Sequence, residues 1–415
     1  MEIKKHIKNN KLLLENMSYL TILEGFILIA PLITYPYLVR ILGMDLYGIV
    51  ITAQALASYA SKIIDFGSNR VCAKHVSVNR ANPDILSEIV NSVFCVRSFL
   101  WLVCLVVYMV IVRIVPIYRT HWLLFLLSYG LTFNEVLFPQ YFFQGVENMK
   151  YSSLINIAVK FLFIVLIFVF VRSEADYFVV PLLYTIGYSF AGIISIYIVY
   201  KRMGLHFYVP KKHQIMVYVK DSSAIFATDL ISLIKDKLSY FLLGAYSGMS
   251  NVVVYDLGLK INTILAKPVQ IISMALFPRS AKDRNIQQLK KIIGLVSGLA
   301  VVLVILTNIF LPRIVSFFIN EPIDLMPIRL FTLAPIFLSI SSFISSNILV
   351  AWGYNRYVLY SIIITSGTYI AALLFTVITH QMDSMYSFVI IALVSYLAEF
   401  IYRLIVGFKI MKKES

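Results

Sequence analysis

The chain has 415 residues, 60% of them hydrophobic and 14% charged, with a mean hydropathy of +0.84. Soluble domains carry about 25% charged residues and are under half apolar, so this composition excludes the soluble enzyme classes. The formal charge of +15 would suggest nucleic acid in a soluble chain, but here Lys and Arg fall in short connectors between apolar runs and act as topology signals.

About 249 apolar residues would fill roughly a dozen bilayer spans of about 20 residues each. Residues 1–11 hold four lysines, and no small-residue cleavage site follows the first apolar stretch, so residues 20–39 read as an uncleaved first span. The predicted spans are 18–39, 46–67, 87–112, 121–143, 152–172 and 177–200, then 220–244, 251–278, 292–312, 323–352, 356–379 and 384–407. Stretches such as 157–171 lack period-2 alternation, which excludes a transmembrane barrel and predicts an all-α membrane protein of twelve helices. Prolines interrupt several spans, at Pro31, Pro36, Pro139, Pro181, Pro268, Pro327 and Pro335, and each predicts a kink. The three cysteines, Cys72, Cys95 and Cys104, form no CxxC pair and predict neither disulfide framework nor metal site. No catalytic arrangement or cofactor motif appears.

Alternate connectors, counted from the N-terminus, hold 22 Lys and Arg residues, and the opposite set holds five. The positive-inside rule then places both termini in the cytoplasm. The longest connector, 201–219, contains Pro210 and separates two sets of six helices, 1–200 and 220–415, related as parallel repeats.

Charge inside hydrocarbon is costly, so intramembrane polar residues are candidate site residues. Gln54, Ser58, Lys62, Asp65 and Asn69 form a one-face stripe in the second span, and Asp256, Lys260, Thr263, Lys267 and Gln270 form one in the eighth. These are corresponding helices of the two halves. Two readings stay open for them: groups lining a cavity, or ion pairs joining helices. Asp229 and Asp236 in the seventh span, Glu24 in the first and Asp256 are candidates for ion coupling. Arg97 and Lys160 lie a turn or two inside their spans, within snorkelling reach of the headgroups. Glu399 and Arg403, at i and i+4 in the last span, are expected to pair structurally.

Several stretches resemble the Wzx-type repeat-unit flippases of the multidrug/oligosaccharidyl-lipid/polysaccharide (MOP) exporter superfamily. The most specific runs from Ala30-Pro31 through Tyr37-Leu38-Val39-Arg40-Ile41-Leu42-Gly43 to Tyr47-Gly48. Others are Asp65-Phe66-Gly67-Ser68-Asn69, Pro139-Gln140-Tyr141-Phe142-Phe143-Gln144-Gly145 with Met149, and Leu243-Gly244, Val254-Tyr255 and Phe277-Pro278-Arg279. The similarity covers the chain to about residue 280. Tyr141 stands where the family pattern has Trp, and Ser68 where an aromatic is usual.

The resemblance implies two six-helix bundles around a central cavity that alternates between inward- and outward-facing forms. The implied cargo is an undecaprenyl-pyrophosphate-linked oligosaccharide, carried across the bacterial inner membrane to the periplasmic leaflet without covalent chemistry. Lys62, Asp65, Arg97, Lys160, Lys260 and Lys267 are its candidate binding residues, the cations meeting the phosphates. Membrane lipids and, beyond them, an O-antigen polymerase and chain-length regulator are the expected partners. A cation-coupled drug exporter of the same superfamily is one alternative. A membrane-bound O-antigen polymerase is another, although such an enzyme would be expected to carry a large periplasmic loop and every connector on that side is short.

Overall fold

A computed structural model describes residues 2–414, the side chains of 1–14, Met17 and 234–236 excepted. The described residues are helical almost throughout and contain no strand, as the missing period-2 alternation predicts. Ten helical stretches among them are long and apolar enough to cross a bilayer. The chain divides into two compact units, Met1–Leu230 and Ile231–Ser415.

In the first unit, α1 (Glu2–Asp65) is interrupted at Gly43, whose φ of 73° and ψ of 165° are non-helical. Before the break Tyr35, Leu38, Val39 and Leu42 bury one face, and after it the helix is buried all round from Tyr47 to Ala57 except at Gln54, with Ala53, Ala55 and Ala57 among the buried positions. The alanines keep that stretch narrow, which lets neighbouring helices approach where lipid supplies no hydrophobic drive. α2 (Ser68–Val78) is short and polar, and α3 (Pro83–Ile114) follows. The start of α3 is set locally: Asn82 Oδ1 accepts the N–H groups of Asp84 and Ile85 at 3.1 and 3.2 Å, and Pro83 takes a position that needs no donor. Phe99, Leu102, Val106 and Val110 of α3 are exposed, while Arg97, Cys104, Tyr108 and Val112 are buried, so one face meets lipid and the other the bundle.

After the short α4 (Pro116–Thr120), the predicted span 121–143 is broken into α5 (Trp122–Tyr129), a 3-10 turn at Gly130–Thr132, α6 (Phe133–Leu137) and α7 (Gln140–Gly145). Pro139 lies at the last break, as its lack of an N–H predicts. Gly145 is where α7 meets α2; a Cβ there would fall 2.5 Å from the Val76 side chain and 2.8 Å from the Ala73 carbonyl. α8 (Met149–Phe170) and α9 (Val179–Tyr197) complete the unit with the first part of α10 (Lys212–Tyr246). The 146–148 connector is clamped on two sides. Asn16 Nδ2 donates to the Glu147 carbonyl at 2.7 Å, and Arg80 reaches both the Gly145 carbonyl and the Glu147 carboxylate at 2.6 Å. The Arg80 guanidinium holds the Glu147 carboxyl below its usual range.

The second unit holds the rest of α10, α11 (Met249–Asp283), α12 (Ile286–Phe318), α13 (Met326–Phe331), α14 (Ala334–Ile344), α15 (Asn355–Ile378) and α16 (Met385–Lys413). The predicted span 323–352 is the most irregular: Pro327 and Pro335 begin separate helices, and Ser345–Val350 is π-helical. That π segment turns Asn347 onto α11, where Nδ2 donates to Ser273 Oγ at 2.7 Å and Oδ1 accepts from Ser280 Oγ at 3.0 Å. By contrast Pro31 and Pro36, in the arm of α1 before Gly43, and Pro268 and Pro312 lie inside helical stretches and start no new helix.

Candidate functional site

The first unit gathers its buried charge at the end of α1. Phe66 and Gly67 adopt φ values of 49° and 71°, so the chain turns sharply between α1 and α2 directly after Asp65. A non-glycine residue in that region stores strain, and such strain concentrates at functional positions. Gly67 is doubly required. Its φ disfavours a side chain, and a Cβ would lie 3.0 Å from both the Phe226 nitrogen and the Ser222 carbonyl of α10. Gly67→Ala should therefore cost about 2 kcal/mol or more. A fall in the melting temperature of the detergent-solubilised chain checks this; unchanged melting would show that the turn tolerates a Cβ.

The turn aims Asp65 at Arg97 of α3. The guanidinium donates from Nη2 to Asp65 Oδ1 at 2.6 Å, from Nε to Ser68 Oγ at 3.0 Å and from Nη1 to the Glu135 carbonyl at 2.6 Å. Its fourth side meets the Tyr141 ring, 5.3 Å from the centroid. Arg97 is 1% exposed, so it does not snorkel but is enclosed by its partners. Tyr141, the departure from the family's Trp, thus supplies an aromatic face for a buried cation, a role either ring performs. Lys62, one turn before Asp65, is exposed. Half-buried Lys160 lies elsewhere in the unit, on α8. Exposed Glu24 stands on the arm of α1 that precedes the Gly43 break. Asp229 forms an ion pair with Arg70 at 3.0 Å.

One residue of this cluster escaped the sequence reading. Glu135 sits on α6 beside the pair, and its carboxylate accepts from the Asn69 side chain. Its signal was an acid inside an apolar run, the same criterion that singled out Asp65.

In the second unit the stripe on α11 is organised around Asp256. This buried carboxylate accepts from the Tyr240 hydroxyl at 2.8 Å and pairs with Lys260, one turn along the same helix. Half-buried Lys267 continues the stripe. Asp236 lies outside the residues whose side chains are described. A second buried pair joins Glu399 and Arg403 of α16 at 2.6 Å, the pairing their spacing predicts. Arg403 also donates to Ser361 Oγ at 2.9 Å and Ser341 Oγ at 3.2 Å, and Thr365 Oγ1 donates to Glu399 at 3.0 Å. α14, α15 and α16 are thereby tied through one ion pair. Among the described residues no group of three or more acids, histidines or cysteines is placed to hold a metal.

Each unit thus buries an arginine–carboxylate pair inside a bundle of apolar helices, the construction of a polytopic helical membrane protein. Solved structures share its fold. The lipid II flippase MurJ in an inward closed conformation aligns with a TM-score of 0.73 at 13% identity, over 95% of this chain and 89% of that one. An inward-facing multidrug-resistance MATE transporter of the MOP superfamily gives 0.66 at 13% identity, over 93% and 96%. The fold is that of the MOP superfamily. Residues 13–284 match the family described as "Polysaccharide biosynthesis protein", and the chain belongs to that family. A curated relative, the "Putative O-antigen transporter" of Escherichia coli (strain K12), is 26% identical over 289 residues, 69% of each chain. That relative is named a transporter, and the two solved structures that share the fold are named a flippase and a multidrug transporter.

Proposed function

We propose that this protein moves undecaprenyl-pyrophosphate-linked O-antigen repeat units from the cytoplasmic to the periplasmic leaflet of the inner membrane by alternating access. The observation that carries the reading is the family match over residues 13–284 together with the similarity to a protein named an O-antigen transporter. Physical chemistry agrees with it: a pyrophosphate-linked sugar cannot cross hydrocarbon unaided, and ionisable groups within spans mark transport pathways. Counting the two arms of α1 on either side of Gly43, and adding α10 to the other apolar helices, supports twelve crossings in two sets of six. Both termini are then cytoplasmic. Lys62, Lys160, Lys260 and Lys267 are the cations we assign to the cargo's phosphates, with Asp65 and Arg97 holding the turn beside Lys62. Asp256, Asp229, Asp236 and Glu24 are the carboxylates assigned to coupling.

A strain lacking the protein should make lipopolysaccharide core without O-antigen and accumulate the lipid-linked single unit on the cytoplasmic leaflet. A polymerase defect differs, because one unit then still appears on the core. Lipopolysaccharide gels separate the two, and a normal ladder accompanied by new drug sensitivity would replace this reading with the exporter.

A further inference from the structure

A cleft of about 530 Å³ opens between α2 and the first part of α10, and neither Asp65 nor Arg97 lines it. It is lined by Arg70, Lys74 and His75 of α2, by Asp221 of α10, and by the apolar side chains of Val78 and Ile225. The spacing of Arg70, Lys74 and Val78 places them on one face of α2. The opposite face, Cys72, Ala73 and Val76, is buried in the bundle.

Two cations, Arg70 and Lys74, and two carboxylates, Asp221 and Asp229, stand in and around this cleft, but they are not all paired. Arg70 meets Asp229 at 3.0 Å yet keeps 65% of its side chain exposed, so most of its five donors are unspent. His75 Nε2 lies 3.0 Å from Asp221. Each aspartate therefore has its own cationic or protonatable partner. Lys74 is exposed and has no ion pair among the described residues, which leaves its ammonium open beside the guanidinium. Val78, 75% exposed, presents bare hydrocarbon in the same cleft. An ammonium with no ion pair and a guanidinium with open donors, beside an apolar wall where a polar helix leaves a membrane span, match an amphiphile with an anionic head. Basic pockets between membrane helices bind lipid headgroups by this arrangement.

We propose that this cleft is a binding site for the phosphate head of an anionic lipid, with Lys74 and the unspent donors of Arg70 on the phosphate and Val78 and Ile225 against the hydrocarbon chain. Two lipids share that chemistry: a polyprenyl pyrophosphate on its way through the protein and an acidic phospholipid of the bilayer. The first source rests on the flippase reading above; the site itself does not.

The full chain, purified in neutral detergent, is titrated with farnesyl pyrophosphate. Lys74→Gln should weaken binding about fivefold and the Arg70→Gln/Lys74→Gln pair about thirtyfold, from the attraction of each basic side chain near a lipid head. Lys74→Arg should bind as the parent does, and so should Lys212→Gln, which removes an exposed charge outside the cleft. Lys74→Gln breaks no ion pair, so its result stands even if losing the Arg70–Asp229 pair perturbs folding. Equal binding by parent and Lys74→Gln overturns the site, as does an equal loss in Lys212→Gln. Inorganic pyrophosphate binding as tightly as farnesyl pyrophosphate overturns the lipid assignment.

Competition by phosphatidylglycerol in mixed micelles separates the sources: displacement at comparable concentration assigns the site to bilayer phospholipid, and its absence assigns it to the pyrophosphate lipid. Either result retains an anionic-lipid site. A normal O-antigen ladder in the deletion strain would sink the flippase reading alone and leave these binding results intact.

Discussion

Replacing Asp65 with alanine is expected to destabilise the protein by about 3–5 kcal/mol, the cost of leaving a buried partner charge uncompensated. Arg97, 1% exposed, would keep its bonds to Ser68 and to the Glu135 carbonyl but lose the carboxylate that bonds it directly, with only the Glu135 carboxylate beside the cluster to offset its charge. The loss should appear as lower membrane abundance and a lower melting temperature in detergent. Asp65→Leu combined with Arg97→Met should recover most of it, because apolar side chains of similar volume often match a buried ion pair in stability. Parent-like melting of Asp65→Ala would show that the pair does not hold the α1–α2 turn. If the double variant is stable yet no longer supports O-antigen assembly, the pair serves transport as well as folding. Any transport assay on Asp65 or Arg97 alone is informative only at matched abundance.

The second large effect belongs to Glu399 and Arg403. Arg403→Ala should also cost about 3–5 kcal/mol, because it leaves the Glu399 carboxylate buried with hydroxyl donors only. Glu399→Gln should cost less, since an amide keeps a carbonyl oxygen as an acceptor there and Arg403 keeps its bonds to Ser361 and Ser341. Both pairs reach beyond their own helix: Arg97 ties α3 to the α1–α2 turn and to α6, and Arg403 ties α16 to Ser361 of α15 and Ser341 of α14. Thermal unfolding of Arg403→Ala should therefore expose α14–α16 together, which hydrogen exchange would read as correlated loss of protection. Protection lost from α16 alone would contradict this account of the cluster.

Much of the fold is legible along the chain because its cause is local. Transfer of apolar residues into hydrocarbon depends on composition within one span, so hydropathy alone identifies the helices. Pro139, Pro327 and Pro335 mark real helix starts or breaks because a missing N–H is a property of one residue. The Glu399–Arg403 pair is readable because one helical turn sets its geometry. The same rule makes Asp256 and Lys260 partners.

What the chain does not display is which distant group a buried charge meets. Arg97 reads as a snorkelling residue until α3 is set beside the turn 32 residues earlier, where Asp65 waits. Asp229 reads as a lone acid until α10 brings it to Arg70, and Glu135 is overlooked although it lies beside the same cluster. Helical periodicity gives each side chain a face but not a neighbour, and hydrogen bonds act over about 3 Å. Sequence therefore determined the membrane class, the helices and the positions of buried charge. Only tertiary packing decided which of those charges are neutralised inside the protein and which, such as Lys62 and Lys74, stay exposed.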